Sequence, residues 1–158
     1  MPEYPDVTVY LECLAPRVLD QPLSEVRILS PFVLRSFEPP IEEARGRNVS
    51  GLRRIGKRLV LALDDDLFLV IHLMIAGRLR WRTAGVAVPK KLGLAAFDFP
   101  TGSLLLTEAG TKKRASITLV QGENALAAIH RGGIEVMEVG RSEFGEALRR
   151  ENHTLKRC

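Results

Sequence analysis

The first residues of the chain, Met1-Pro2-Glu3, combine an amine and a carboxylate that could do chemistry together. Removal of Met1 would make Pro2 the terminal residue, and its ring nitrogen would become a free secondary amine. An α-amino group has a pKa of about 8, so a useful fraction is uncharged near neutral pH. Such an amine can attack an aldehydic carbon and form an iminium, as Schiff-base nucleophiles do. Glu3 stands beside it as a carboxylate able to transfer protons.

Two further polar residues could contribute, although each also has an ordinary structural explanation. Lys57 follows Gly56 in a run of basic residues, which by itself is typical of a solvated strand edge. His72 ends the most apolar segment of the chain, where a histidine usually serves the structure. Met-Pro-Glu is also a common way for a protein to begin, so these residues carry weight only as a group.

The residues after Glu3 predict a helix that would hold the reactive end of the chain in place. Pro5 and Asp6 are typical of a first helical turn. Apolar residues then recur at three- and four-residue spacing over residues 7–19, which indicates one buried face of a helix. Most chain termini fray. A packed helix here would therefore fix the position of Pro2.

The middle of the chain predicts a mainly β protein. Apolar and β-branched runs predict strands at residues 26–29, 33–37, 45–54, 59–63, 67–73, 78–82, 92–99, 103–107 and 116–120. Asp64-Asp65-Asp66 predicts a hairpin turn, and the apolar run 67–73 predicts a strand buried on both faces. Many short strands joined by tight turns indicate an antiparallel β-sandwich or barrel. Short helices are predicted to flank it at residues 123–130 and 142–151, and a further helix begins near residue 152.

Composition limits the class of protein. At 158 residues and 46% hydrophobic, the chain can bury a core of its own. Its 23 Lys and Arg exceed its 19 Asp and Glu, and this basic balance suits a polyanionic partner. Two cysteines, Cys13 and Cys158, provide neither a zinc cluster nor a disulfide framework. Without an apolar run long enough to span a bilayer, we expect a cytoplasmic, monomeric protein.

Three segments acquire a joint meaning from their order along the chain: Pro2-Glu3-Tyr4-Pro5-Asp6-Val7, Arg54-Ile55-Gly56-Lys57-Arg58-Leu59 and His72-Leu73-Met74-Ile75-Ala76-Gly77-Arg78-Leu79. Together they resemble the N-terminal domain of the formamidopyrimidine-DNA glycosylase and endonuclease VIII family of base-excision repair enzymes. The resemblance covers nearly the whole chain. It implies a DNA glycosylase and abasic-site lyase in which Pro2 attacks the sugar, Glu3 moves protons and Lys57 contacts the phosphate beside the lesion. An ammonium at Lys57 would also favour the neutral form of the Pro2 amine.

The resemblance also implies which residues contact DNA. In the family, a methionine after the histidine fills the gap left by the extruded base. Here Met74 and Ile75 occupy that loop, with Ile75 at the position of the wedge. The family's usual Asp-Pro-Arg-Arg-Phe-Gly loop is replaced by a segment without an aromatic residue. That segment keeps its positive charge in Lys112, Lys113 and Arg114, which we expect to contact phosphate.

By the same resemblance, residues 1–130 form the N-terminal catalytic β-sandwich domain. Residues 131–158 are then a linker and the truncated start of a helical DNA-binding domain. The family's zinc finger would lie beyond Cys158, so we expect no metal or other cofactor in this chain. The expected partner is damaged double-stranded DNA, which this chain alone should bind and cleave poorly. Two alternatives stay open: a non-catalytic nucleic-acid-binding β domain, and an inactive truncated paralogue. An uncleaved Met1 would leave Pro2 as an amide without nucleophilic character.

Overall fold

A computed structural model describes residues 2–130 and 134–150 of the chain. Within them lie the helices α1 (Tyr4–Val18), α2 (Glu123–Ile129) and α3 (Arg141–Arg149). The strands are β1 (Glu25–Ile28), β2 (Val49–Ile55), β3 (Arg58–Leu63), β4 (Leu67–His72), β5 (Gly77–Arg82), β6 (Gly93–Phe99), β7 (Gly102–Glu108) and β8 (Ser116–Gln121). Two short 3-10 helices, Pro31–Val33 and Ile41–Ala44, lie between β1 and β2.

The strands form two antiparallel sheets of four, in the orders β1-β6-β7-β5 and β2-β3-β4-β8. Their inner faces share one apolar core. Leu61 and Leu69 enter it from one sheet and Phe97 and Leu104 from the other, and all four are at most 1% exposed. The predicted antiparallel β-sandwich with an N-terminal helix is confirmed.

Local patterns placed several elements correctly. The helix predicted at residues 7–19 is α1, and its buried residues Val7, Leu14 and Val18 lie on the predicted apolar face. The predicted turn between β3 and β4 is also present, with Asp65 and Asp66 at φ values of 59° and 55°. The five residues of β4 before its final histidine are all buried, as expected of a strand covered on both faces.

Two predicted strands differ from the structure. Residues 33–37 form no regular strand, because Pro31 opens a 3-10 helix and the chain then runs along β8 through isolated contacts. Leu34 bridges Ile117, and the Oγ atom of Ser36 accepts a hydrogen bond from the Leu119 amide at 2.8 Å. The strand predicted from residue 45 begins only at Val49, since the preceding segment contains the second 3-10 helix and a glycine turn.

A charged cluster ties β1 to β6 on the outer face of their sheet. The guanidinium of Arg27 binds the Asp98 carboxylate through Nε at 2.6 Å and Nη2 at 2.8 Å, and Nη2 also donates to the Val86 carbonyl at 2.9 Å. The Ser103 hydroxyl donates to the same carboxylate. Burial alone would raise the pKa of Asp98, but the hydrogen bonds from Arg27 and Ser103 outweigh it and the pKa is lowered.

The chain divides into two compact units, Met1–Ala128 and Ile129–Cys158. The first contains the sandwich. In the second, α3 lies where the sequence predicted a helix at residues 142–151. The further helix predicted from residue 152 falls outside the described residues. Across residues 2–130 and 134–150, none of the helices is both long and apolar enough to cross a membrane.

Candidate active site

The turn between β2 and β3 presents Lys57 at one end of the sandwich. Ile55 and Arg58 are paired across the two strands, which leaves Gly56 and Lys57 as the turn residues. Gly56 has a φ of 54°. A positive φ at the first turn residue is typical of a type II′ hairpin, which favours glycine there. The glycine therefore allows the tight turn that places Lys57 at its tip.

The structure brings Glu3 and Lys57 together. The Nζ atom of Lys57 lies 2.7 Å from Oε2 of Glu3, with the two side chains 45% and 51% exposed. Pro2, the residue before Glu3, is buried. The predicted nucleophile, proton carrier and phosphate-binding cation thus occupy one small region, although Lys57 is far from the other two in the sequence.

The start of α1 is fixed by hydrogen bonds as well as by that ion pair. The Glu3 amide donates to Oδ2 of Asp6 at 2.8 Å, and the Glu3 carbonyl accepts from the Val7 amide at 3.1 Å. Pro5 lies in the first turn, where its missing N–H costs nothing. Val7 is fully buried. The chain therefore enters its first helix without the freedom that most termini have.

Arg54 makes a second link between the helix start and the β2–β3 turn. Its Cζ atom lies 4.2 Å from the centre of the Tyr4 ring, a cation–π distance. Its Nη1 atom donates to the Gly56 carbonyl at 3.0 Å. Arg53, its neighbour, pairs with Glu123 at 2.7 Å and lies over the Phe68 ring at 5.1 Å. The basic run before Lys57 is therefore more than a solvated strand edge.

Strand register places the predicted DNA-contacting loops at the same end as Lys57. In one sheet, Arg58 next to Lys57 pairs with His72, and His72 pairs with Ser116. In the other sheet, Gly77 pairs with Glu108. The β2–β3 turn, the loop of residues 73–76 and the loop of residues 109–115 thus leave the two sheets at a common end. We call this surface the site end.

The loop of residues 73–76 has an exposed apolar residue near its tip. Ile75 is 53% exposed, whereas Met74 is half-buried with a φ of 55°. The Gly77 amide closes the loop by donating to the Leu73 carbonyl at 2.9 Å. A Cβ atom on Gly77 would lie only 2.3 Å from that carbonyl oxygen, so the closure requires glycine. Of the two residues, Ile75 has the exposure that an inserted wedge needs.

The loop of residues 109–115 is organised by a buried carboxylate. Glu108 is 2% exposed, and its Oε2 atom accepts hydrogen bonds from the amides of Arg114 at 2.8 Å and Ala115 at 3.0 Å. The Lys113 ammonium donates to the Glu108 carbonyl, which draws that side chain back onto the fold. Lys112 and Arg114 are exposed. These two cations are therefore the ones best placed to meet a phosphate.

The sequence did not single out a second lysine pair at the site end. Lys90 and Lys91 are exposed in a tight turn closed by a hydrogen bond from the Gly93 amide to the Pro89 carbonyl at 2.7 Å. The Glu108 amide donates to the Leu92 carbonyl at 2.8 Å, which holds this turn against the start of the neighbouring basic loop. The available signal was a lysine doublet between a proline and a glycine.

Metal ligands are not gathered at this site. Within residues 2–130 and 134–150, no three or more His, Cys, Asp and Glu side chains form a group suited to hold a metal ion. The resemblance places the family's zinc finger in a segment beyond Cys158, and that placement stays a prediction.

Similar proteins share this architecture. A chain of the Lactococcus lactis protein LlFpg, in a complex with a THF-DNA and an inhibitor, superposes with a TM-score of 0.72 at 25% identity, covering 81% of this chain and 46% of that one. Wild-type Lactococcus lactis FPG, in a complex with an oxidised pyrimidine containing DNA, gives a TM-score of 0.71 at 25% identity, covering 81% and 47%.

Sequence comparison leads to the same group. Formamidopyrimidine-DNA glycosylases of Mycoplasma genitalium and Lactococcus lactis subsp. cremoris are 27% and 28% identical over 142 and 152 residues. These matches cover 89% and 96% of this chain but only 50% and 55% of those proteins, so the chain spans about half the length of these relatives. The family described as the formamidopyrimidine-DNA glycosylase N-terminal domain matches residues 1–121. The chain belongs to that family.

Proposed function

We propose that this chain is the catalytic N-terminal part of a DNA glycosylase and abasic-site lyase that acts on oxidised bases in double-stranded DNA. The observation that carries the proposal is the 2.7 Å ion pair between Glu3 and Lys57. It joins the N-terminus to the β2–β3 turn beside Pro2, at the end of the sandwich where basic loops converge. The related Lactococcus lactis structures that contain DNA support the choice of partner.

The proposed chemistry begins at the Pro2 amine, once Met1 has been removed. Its lone pair forms a bond to the anomeric carbon of the sugar, and the bond from that carbon to the damaged base breaks. Glu3, the residue next to Pro2, supplies or accepts the protons that base departure and sugar-ring opening require in this scheme. The product is an iminium between Pro2 and the opened sugar.

Strand cleavage follows from the electron demand of that iminium. It acidifies the hydrogens on the adjacent sugar carbon, a base removes one of them, and the electron pair expels the 3′ phosphate. Hydrolysis of the iminium by water then releases the amine of Pro2. Protein groups, DNA groups and the hydrolytic water supply every proton and electron pair in these steps, and we propose that the chain needs no cofactor for them.

Lys57 has a distinct part in this scheme. Its ammonium is held by Glu3 in the structure, and the pair is half exposed. A DNA phosphate arriving at the site end would compete with Glu3 for that ammonium. We expect this exchange to fix the phosphate beside the attacked carbon and to release the Glu3 carboxylate for proton transfer. An enzyme with this substrate acts on chromosomal DNA, and we place it in the bacterial cytoplasm on that ground.

Borohydride trapping on a duplex with an abasic site tests the proposal. Borohydride reduces an iminium to a stable amine and so leaves protein covalently bound to DNA. We expect trapping by protein whose intact mass shows that Met1 is absent. Trapping should be lost in a matched protein with an uncleaved N-terminal extension, because its Pro2 nitrogen is an amide. Equal trapping by both proteins would refute the assignment of Pro2. Because this chain alone is expected to bind DNA weakly, the assay uses saturating DNA, and no trapping by either protein under that condition would favour the non-catalytic binding domain.

Lys57 provides a second test, which separates chemistry from affinity. At saturating DNA, Lys57→Ala should slow the single-turnover trapping rate by at least tenfold, whereas Lys57→Arg should retain much of it. Arg53→Ala is the matched control from the same hairpin. Because Arg53 binds Glu123 and covers Phe68, its loss should lower stability while the saturated rate stays near the wild-type value. Identical saturated rates for all four proteins would leave Lys57 as one charge in a basic patch.

A further inference from the structure

One face of β5 carries three exposed arginines. Arg78, Arg80 and Arg82 occupy alternate positions of the strand and are all exposed. Leu79 and Trp81, on the opposite face, belong to or pack against the core. Successive side chains of a strand point to opposite faces, so the three guanidinium groups share the outer face of the sheet. We call these three residues the arginine stripe.

The positive charge of the stripe is not balanced locally. Arg78 donates to the carbonyls of Ile75 and Gly77, and Arg82 donates to the Trp81 carbonyl at 3.1 Å. In the part of the chain that the structure describes, none of the three forms an ion pair with a carboxylate. Their register partners on β7 are the uncharged residues Thr107, Leu105 and Ser103. By contrast, Arg27, Arg47 and Arg53 each pair with a carboxylate.

The stripe also begins at the site end. Arg78 directly follows Gly77, and Gly77 pairs with Glu108 at the start of the basic loop of residues 109–115. A strand rises about 3.4 Å per residue, so alternate arginines are roughly 7 Å apart and the three span roughly 14 Å. Measured along the axis of duplex DNA, successive phosphates of one strand are about 3.4 Å apart. The length of the arginine stripe therefore corresponds, along that axis, to about four nucleotides of one strand.

We propose that the arginine stripe binds the sugar–phosphate backbone of DNA that flanks the lesion. The inference rests on the proposed function, since it extends the DNA contact away from the site end along β5. Guanidinium groups match phosphate through paired N–H donors. The one aromatic residue of β5, Trp81, packs toward the core, so the outer face of this strand offers phosphate-binding cations rather than a stacking surface for bases. The contact should therefore be independent of the base sequence of the DNA.

Edge protection is the competing explanation. β5 is an edge strand of its sheet, and charged side chains on edge strands discourage pairing with another chain. That role would require charge but no ligand. The two explanations predict different results when two of the charges are removed. DNA binding and its salt dependence should both weaken if the stripe binds phosphate, and both should stay unchanged if the stripe only protects the edge.

The test compares the double variants R80Q/R82Q and R80K/R82K with the wild-type chain. Arg78 is left in place because it bonds to the loop of residues 73–77. The matched control is R17Q/R45Q, which removes two exposed arginines, one near the end of α1 and one after the second 3-10 helix. That helix lies beside β1, at the other edge of the same sheet. Binding of a fluorescent duplex containing an abasic site is followed by anisotropy at 50–300 mM salt.

For R80Q/R82Q we expect roughly tenfold weaker binding at 0.1 M salt, with the slope of log K against log salt reduced by about two, because each phosphate contact contributes about 0.9. R80K/R82K should keep most of the slope, and R17Q/R45Q all of it. The saturated borohydride-trapping rate of R80Q/R82Q should equal that of the wild type.

Three results would overturn the proposal: a wild-type slope in R80Q/R82Q, aggregation of that variant without loss of binding, or equal losses with polyglutamate in place of DNA. A wild-type protein that binds DNA through the stripe but is never trapped would instead contradict the proposed catalytic function. The two inferences can therefore fail separately.

Discussion

The contact between Arg54 and Tyr4 should contribute measurably to the free energy of unfolding, and its loss should loosen the start of α1. The guanidinium carbon lies 4.2 Å from the ring centre, well inside the range of about 6 Å for a cation–π contact. Tyr4 is 41% exposed and Arg54 half-buried. Such contacts are worth about 0.5–1 kcal/mol when exposed and about 2 kcal/mol when desolvated. The partial exposure places this one near 1 kcal/mol.

A double-mutant cycle isolates this contact from the other roles of Arg54. Arg54 also donates to the Gly56 carbonyl, so a single substitution would remove more than the ring contact. The cycle combines Tyr4→Leu, Arg54→Gln and the double variant, with urea unfolding as the assay because urea does not screen charge. We expect a coupling free energy of about 1 kcal/mol. Tyr4→Phe is the matched control, and it should retain the coupling because the ring remains.

The same variants test whether the contact positions Glu3, the proposed proton carrier. Tyr4 is adjacent to Glu3 at the start of α1, so a looser Tyr4 should lower the saturated borohydride-trapping rate. Tyr4→Leu should reduce this rate several-fold, while Tyr4→Phe should not. A coupling free energy below about 0.3 kcal/mol lies within ordinary additivity. Such a value, with unchanged trapping in Tyr4→Leu, would refute the reasoning.

Two further outcomes follow from other parts of the fold. The pKa of Asp98 is lowered in the folded state, so the ionised Asp98 carboxylate stabilises the fold. This contribution is complete above about pH 4, the pKa of an aspartate in the unfolded chain, and it is lost as the pH falls through the lowered pKa of the folded state. Asp98→Asn should therefore lower the free energy of unfolding by about 1.5–3 kcal/mol near pH 7, and stability should then fall less steeply below about pH 4 than in the wild type. Urea unfolding at several pH values measures this. An unchanged fall in stability below about pH 4 would contradict the prediction. Gly77→Ala forces a Cβ atom to within 2.3 Å of the Leu73 carbonyl oxygen and should cost about 1–3 kcal/mol, a fall of several degrees in Tm. A melting temperature within one degree of the wild type would show that the loop adapts freely.

Elements that depend on neighbouring residues were the ones most accessible from the sequence. The apolar face of α1, the aspartate turn between β3 and β4 and the buried strand β4 all follow from local spacing and turn chemistry. The strand predicted at residues 33–37 is wrong, because the prediction used the same kind of local apolar pattern. Val33 is buried beside β8 without joining a ladder, and an apolar pattern does not distinguish burial from strand pairing.

The site was less accessible, because it depends on contacts between distant segments. Lys57 was identified through the family resemblance, since the basic run around it has no periodic pattern of its own. Its ion pair with Glu3 and the position of Lys90 and Lys91 follow only from strand register. Strand register determines which loops share an end of the sandwich, and it cannot be predicted from the spacing of neighbouring residues. The assigned roles of these residues stay predictions.

The position of Glu3 as the residue that precedes α1 makes the proposed activity depend on the first turn of that helix. Its amide and carbonyl both take part in the first turn, through Asp6 and Val7. Ends of helices open with a smaller free energy than whole domains do, and they exchange their amide hydrogens earlier. Opening of this single turn would separate Glu3 from Lys57 while both sheets stayed intact. Heat should therefore abolish borohydride trapping below the temperature at which the sandwich melts, and early deuterium uptake by the Glu3 and Val7 amides would reveal the opening of this turn.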